Sequence, residues 1–327
     1  MAEEANLAPY PTLAALADPP GGRAGAPAGV RGRARSGGRG SPRRGGVMPL
    51  PLARFTGEVP SFAGGPPRVA EWRDARGRCV ARGTTEGGYH WMEIDGVGTF
   101  RFPAEAPGDL RPEVAVSPAP GASPRTLEDF YLRSVLPFAL QAYGLEALHG
   151  SAVHVGGLGV VALCGRPESG KSTLAYALAE RGHAHVADDA VVIAPDSLRV
   201  LPLPTAARLR DQSAAHFGAP SKRRVRVTLA GWDEAAARPL PLAAVVFLAR
   251  GRPRVVLRRL GAREAFDALL SEAYAFTMTD VERKRSMLRA YLVLAPALRV
   301  YELSFPDGLE HLGAACDAIA SIGAAEG

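Results

Sequence analysis

The sequence predicts a mixed α/β protein with a small β-rich region ahead of its core and a disordered tail ahead of that. Three observations predict it. From residue 126 to about 322, apolar segments of strand length alternate with longer segments of helical spacing, the pattern of an α/β core. From 49 to 116 the chain reads as short strands and turns. Residues 1–47 are rich in Gly, Ala, Pro and Arg, and such a segment cannot bury enough apolar surface to offset its ordering entropy. The expected units are therefore a tail at 1–47, a β-rich subdomain at 48–125 and an α/β domain at 126–327. Met48 is an alternative start that would leave the tail as upstream sequence.

Each element has its own local reason. Residues 89–94 and 98–102 alternate around an Asp95-Gly96 turn, which predicts a hairpin. A Pro-rich link at 117–124 closes that region. Thr126 with Asp129 three residues on has the form of a capping box. The run DFYLRSVLPFALQAYGL that follows carries apolar residues at helical spacing, with Pro137 expected to kink it. Strands are predicted near 152–155 and 159–164, joined through Gly156-Gly157. KSTLAYALAERG reads as a helix that ends with Gly182 at the position just past its last turn. Further strands are expected at 184–187, 191–193, 199–203, 224–229, 243–249, 254–257 and 299–303, and helices at 262–275, 280–292 and 308–321.

Composition excludes some function classes. The chain carries a formal net charge of +6, but 1–47 holds seven arginines against Glu3, Glu4 and Asp18, so the tail accounts for four of the six charges. The high pI therefore says little about the folded part and does not imply a nucleic-acid partner. Lysine occurs only at 171, 222 and 284. Cys79, Cys164 and Cys316 lie far apart with no CxxC spacing, which suits a reducing, cytoplasmic setting. No apolar run approaches the ~20 residues of a membrane span, and MAEE does not open a secretory signal.

The specific motif is Gly165-Arg166-Pro167-Glu168-Ser169-Gly170-Lys171-Ser172, which matches G-x-x-x-x-G-K-[ST] at every fixed position. An apolar strand leads in and a helix, beginning at Lys171-Ser172-Thr173, leads out. Such a loop turns successive N–H groups toward one anion, and the helix N-terminus adds its positive end. Lys171 would reach the β- and γ-phosphates of ATP, and Ser172 would coordinate Mg2+. Glu168 is out of keeping, because a carboxylate inside the loop should either point away from the phosphates or weaken binding.

The segment 148–193 resembles HPr kinase/phosphorylase and its shorter relatives. His149-Gly150 before the first strand, the loop, and RGHAHVADDAVVI at 181–193 carry the resemblance. The flanks look more like short HPr-kinase-like proteins, which include kinases that phosphorylate a serine of a lasso-peptide precursor. The resemblance implies a P-loop core of the HPr kinase/phosphoenolpyruvate carboxykinase type. It also implies roles: Asp189 as general base toward the attacking hydroxyl, Asp188 as a metal ligand with Ser172 or as the residue that orients its neighbour, His149 as an active-site histidine, and Lys171 in its loop role. Since neighbouring side chains diverge on a strand, Asp188 and Asp189 are expected to face different ways. The implied partner is a peptide or small protein presenting a Ser hydroxyl, with no nucleic acid and no membrane, and with a homo-oligomer left open. His154, His183 and His185 read as packing or solvated residues. Lys222-Arg223-Arg224, Arg208 and Asp211 are weaker candidates for gripping phosphate or substrate.

The family's glycine-bearing segment after the aspartates, which supplies a metal-binding glutamate, is not found, and 205–218 does not match it. Two other readings thus stand beside a serine kinase: a small-molecule kinase or phosphotransferase on the same core, and a non-catalytic nucleotide-binding module.

Overall fold

The computed structural model describes residues 52–60, 70–74, 77–105, 113–203, 205, 207–218, 239–276 and 280–323. The tail at 1–47, the basic run at 222–224 and the strand expected at 224–229 lie outside them.

Two sheets form a mixed α/β architecture. The first has strands β1 (Leu52–Arg54), β2 (Ala70–Arg73), β3 (Cys79–Glu86), β4 (Tyr89–Ile94), β5 (Gly98–Pro103) and β6 (Val114–Pro118), in the order β1-β6-β5-β4-β3-β2. The hairpin β4–β5 turns at Asp95-Gly96, with Ile94 opposite Gly98. The second sheet contains β7 (Glu146–Val155), β8 (Gly159–Cys164), β9 (Ala184–Ala187), β10 (Ala190–Ala194), β11 (Arg199–Leu201), β12 (Leu240–Arg250), β13 (Val256–Arg259) and β14 (Val300–Phe305). Its order is β11-β10-β7-β8-β12-β14-β13, with β9 also on β7. β8, β12 and β14 run parallel at its centre.

Period-two burial sorts the central strands onto two cores. From β8, Val161 and Leu163 face Leu174 and Leu178 of α3 (Lys171–Glu180) and Cys316 and Ile319 of α7 (Leu312–Ala320). Val160, Ala162 and Cys164 face the other way, into a core shared with the first sheet through Trp72, Phe100, Phe138 and Phe276. Each fully buried leucine of α3 contributes about 1.5–3 kcal/mol. All three cysteines are free thiols. Among the described residues, no helix is long and apolar enough to cross a membrane.

The helical run after the link departs from expectation at both ends. Its N-cap is Ser123, whose Oγ accepts from Thr126 N at 3.1 Å, not a Thr126–Asp129 box. Pro124 sits in the first turn, where its missing N–H costs nothing. Asp129 instead accepts from Arg133 and Arg208. Helix α1 (Pro124–Phe130) passes into a π turn (Tyr131–Val135), then α2 (Leu136–Ala139) and a 3-10 turn to Tyr143. Pro137 lies in the first turn of α2, just past the π turn, where its missing N–H interrupts the regular α-helical ladder. The π turn buries Arg133, leaving only 5% of its side chain exposed.

At the start of β7, buried Glu146 lies 3.3 Å from Arg283 of α6 (Val281–Ala297), beside Tyr291. Burial pushes its carboxyl from 4.5 up to about 8, against the pull of Arg283. A carboxyl raised on folding contributes stability present below its unfolded value and lost as pH rises through its folded one. Glu146→Gln is therefore expected to flatten stability between pH 4.5 and about 8, read as melting temperature against pH. An unchanged slope would count against this assignment.

Candidate functional site

The GRPESGKS loop joins the C-terminal end of β8 to the start of α3. Gly165 lies at φ +134°, and a Cβ there would come within 3.0 Å of the Leu248 carbonyl on β12. Gly170, at φ +96°, is the N-cap of α3 and has no side chain to satisfy the first N–H groups of the helix. A helix that starts without a side-chain cap leaves those donors for an anion. Lys171 folds back over the loop, donating from Nζ to Gly165 O at 2.6 Å and Arg166 O at 3.1 Å. Burial lowers its pKa, while Glu272, then Cys164, Asp189 and Asp188, act in the opposite sense.

Arg166 and Pro167 are exposed on the outside of the loop, and Ser169 is buried with an unpartnered Oγ. Thr173 turns away, its Oγ1 3.1 Å from Ser213 Oγ on α4 (Asp211–His216). Glu168 adopts φ +70° and ion-pairs with Arg210, just ahead of α4. Its carboxylate is thus engaged by Arg210 in an exposed ion pair. Glu168→Gly is expected to leave ATP affinity within about threefold, since an exposed ion pair contributes little. Calorimetry checks this, and a tenfold loss would show that the carboxylate matters.

Opposite the loop, Asp188 and Asp189 join β9 to β10, both of which pair with β7. Asp188 is fully buried. Its Oδ1 accepts from Ser172 Oγ at 2.8 Å and Ser151 Oγ at 2.5 Å, and its Oδ2 accepts from Arg208 N at 2.9 Å. Its own N–H donates to Thr205 Oγ1 at 2.7 Å.

Asp189 sits at φ +69°, which breaks strand alternation. The expectation that the two carboxylates diverge is therefore corrected: both approach Arg133. Nη1 of Arg133 contacts Asp189 Oδ2 directly and lies 3.8 Å from Asp188 Oδ2. Asp129 accepts from Arg133 Nε at 3.1 Å and from Arg208 at 2.5 Å, so one carboxylate braces two guanidiniums. Burial raises the Asp189 pKa, but Arg133 and then Arg208 outweigh it, and the carboxyl is held below its ordinary range.

His149 stands on β7, with Nδ1 3.5 Å from Glu272 Oε2. His185 is buried on β9, and His154 and His183 are half-buried. Asp211 only begins α4, whereas Arg208 belongs to the brace. Sequence reasoning missed Arg133, Asp129, Ser151, Glu272 and Tyr274. The i,i+4 spacing of Asp129 and Arg133 on an otherwise apolar run was the one local signal available.

Asp188 and Ser172 set two oxygen donors side by side at the start of α3. That set suits Mg2+, which takes one or two protein oxygens and fills its octahedron with phosphate and water.

Residues 143–202 match the family pattern of the HPr serine kinase C-terminal domain, which bears out the resemblance to HPr-kinase-like proteins over that segment. No curated protein matches the chain. Among solved structures, the HPr(Ser) kinase/phosphatase from Coxiella burnetii aligns at 13% identity with a TM-score of 0.25, covering 53% of this chain and 93% of that one.

Proposed function

We propose that this chain, whose 143–202 segment carries the HPr serine kinase pattern, is an ATP-dependent phosphotransferase that moves the γ-phosphate to a Ser hydroxyl of a peptide or small protein. A P-loop unit at 126–327, of the HPr kinase/phosphoenolpyruvate carboxykinase type, would do this work. The observation that carries the reading is the meeting of an uncapped helix start and Lys171 with the convergent pair Asp188 and Asp189.

In this reading the N–H groups of the loop and of the first turn of α3 bind the triphosphate. Lys171 gives up its two loop carbonyls to reach the β- and γ-phosphates. Ser172 and Asp188 would hold Mg2+, which supplies charge neutralisation at the phosphates. Asp189 orients the Ser hydroxyl and accepts its proton as the Oγ–P bond forms and the bond to the β-phosphate oxygen breaks, releasing ADP. A loose phosphoryl-transfer transition state asks mainly for alignment and charge stabilisation, which these groups supply.

A non-catalytic nucleotide-binding module is the second reading, and the ion pair that occupies Asp189 favours it. Incubation of the full chain with γ-labelled ATP, Mg2+, serine peptides and small-molecule pools separates the readings. Label on peptide serine is expected. Label on a small molecule would redirect the proposal, and tight ATP binding without any transfer would support the second reading.

A further inference from the structure

Beyond the matched segment, one stretch of chain is fastened directly to the site. After α5 (Ala262–Ser271), residues 272–274 run antiparallel beside the start of β7. His149 N donates to Glu272 O at 2.8 Å, Leu148 bridges Ala273, and Tyr274 N donates to Ala147 O at 3.4 Å. Tyr274 Oη in turn donates to the Asp189 carbonyl at 2.8 Å. Backbone pairing therefore sets where the Glu272 side chain stands relative to His149.

Glu272 is 8% exposed. Its Oε2 and His149 Nδ1 are both buried without a hydrogen-bond partner among the described residues, and they lie 3.5 Å apart. A small ring rotation brings them into the ~2.7–3.2 Å range. An unpaired buried carboxylate oxygen is costly, and the imidazole N–H is the donor within reach. The other charged groups acting here are Lys171, on which Glu272 exerts the largest opposing charge effect, and Asp189, on which His149 acts.

We infer that Glu272 is a positioning residue for His149, accepting the Nδ1 proton and so leaving the lone pair on Nε2. An imidazole whose tautomer is set by a carboxylate has a defined acceptor nitrogen. In the phosphotransfer reading, on which this inference rests, His149 then accepts a hydrogen bond in the site and does not alternate between donor and acceptor.

The test has two arms. In the full chain labelled with 15N-histidine, His149 is expected to show the Nδ1–H tautomer, and Glu272→Gln, which keeps the volume, is expected to weaken that preference. A wild-type His149 in the Nε2–H tautomer would overturn the inference, whatever the reaction. In the second arm, Glu272→Ala is expected to slow phosphate transfer by about tenfold with ATP affinity within about threefold, and Glu272→Gln to recover part of the loss. Combined with His149→Ala it should add less than about twofold, because both changes remove one device. Full additivity would mean that Glu272 acts elsewhere and would overturn the inference. Failure of wild-type protein to transfer phosphate at all would strike the phosphotransfer reading and leave the tautomer measurement standing.

Discussion

Asp189→Asn protein is expected to bind ATP as the wild type does and to transfer phosphate more slowly by about 10²–10⁴-fold, the usual contribution of a general base. The substitution is clean for three reasons. Asparagine tolerates the left-handed backbone that Asp189 adopts at φ +69°. Its carbonyl oxygen keeps a hydrogen bond from Arg133. It cannot take up a proton. Alanine in the same place would add strain and take away one of the carboxylates that face the buried Arg133, so the asparagine variant isolates the chemistry. Single-turnover transfer and ATP titration measure the two quantities separately. Transfer at the wild-type rate would remove Asp189 from the role of base and favour the nucleotide-binding module.

The second large effect belongs to Asp188. Asp188→Ala removes the acceptor for Ser151 Oγ, Ser172 Oγ and Arg208 N–H at a fully buried position. It also takes away one of the carboxylates facing Arg133, so the loss should resemble the breaking of a buried charged network, about 3–5 kcal/mol. For a chain of this size that is a fall in melting temperature of about 10 °C. Asp188→Asn is not a rescue. Its carbonyl can accept from the serines, but its amide then faces the Arg208 N–H, donor against donor. ATP binding should also lose its dependence on Mg2+ in both variants. A melting temperature equal to that of the wild type would show that the network is looser than these contacts imply.

The two effects separate the neighbouring aspartates: one holds the site together and the other would act in it. Residue type and spacing single out both without distinguishing them. The distinction comes from burial and from the left-handed residue, which turns Asp189 back toward Arg133 while Asp188 stays beneath the loop.

Much of the fold was legible because its causes are local. The β4–β5 hairpin follows from alternation around Asp95-Gly96, and α3 ends where Gly182 takes φ +89°. The start of α1 was misplaced because Ser123 and Pro124 out-compete Thr126 as a helix opening. Within the site, the loop residues were legible for the same reason as the hairpin. Their backbone is contiguous, so Gly165, Gly170, Lys171 and Ser172 meet whatever the rest of the chain does.

The contacts that complete the site are of another kind. Arg133 reaches Asp189 across 56 residues and Tyr274 reaches it across 85. No periodicity encodes such meetings. They depend on a π turn that swings Arg133 inward and on the register of 272–274 along β7. The outward turn of Glu168 likewise needed Arg210, supplied by a segment 42 residues away. By itself, then, the sequence determined the loop, the aspartate pair that follows it and the α/β pattern, all written in short-range spacing. The tertiary structure decided which charges surround Asp189, where Glu168 points and that Glu272 stands beside His149, because only packing and strand register bring residues so distant in the chain within a few ångströms.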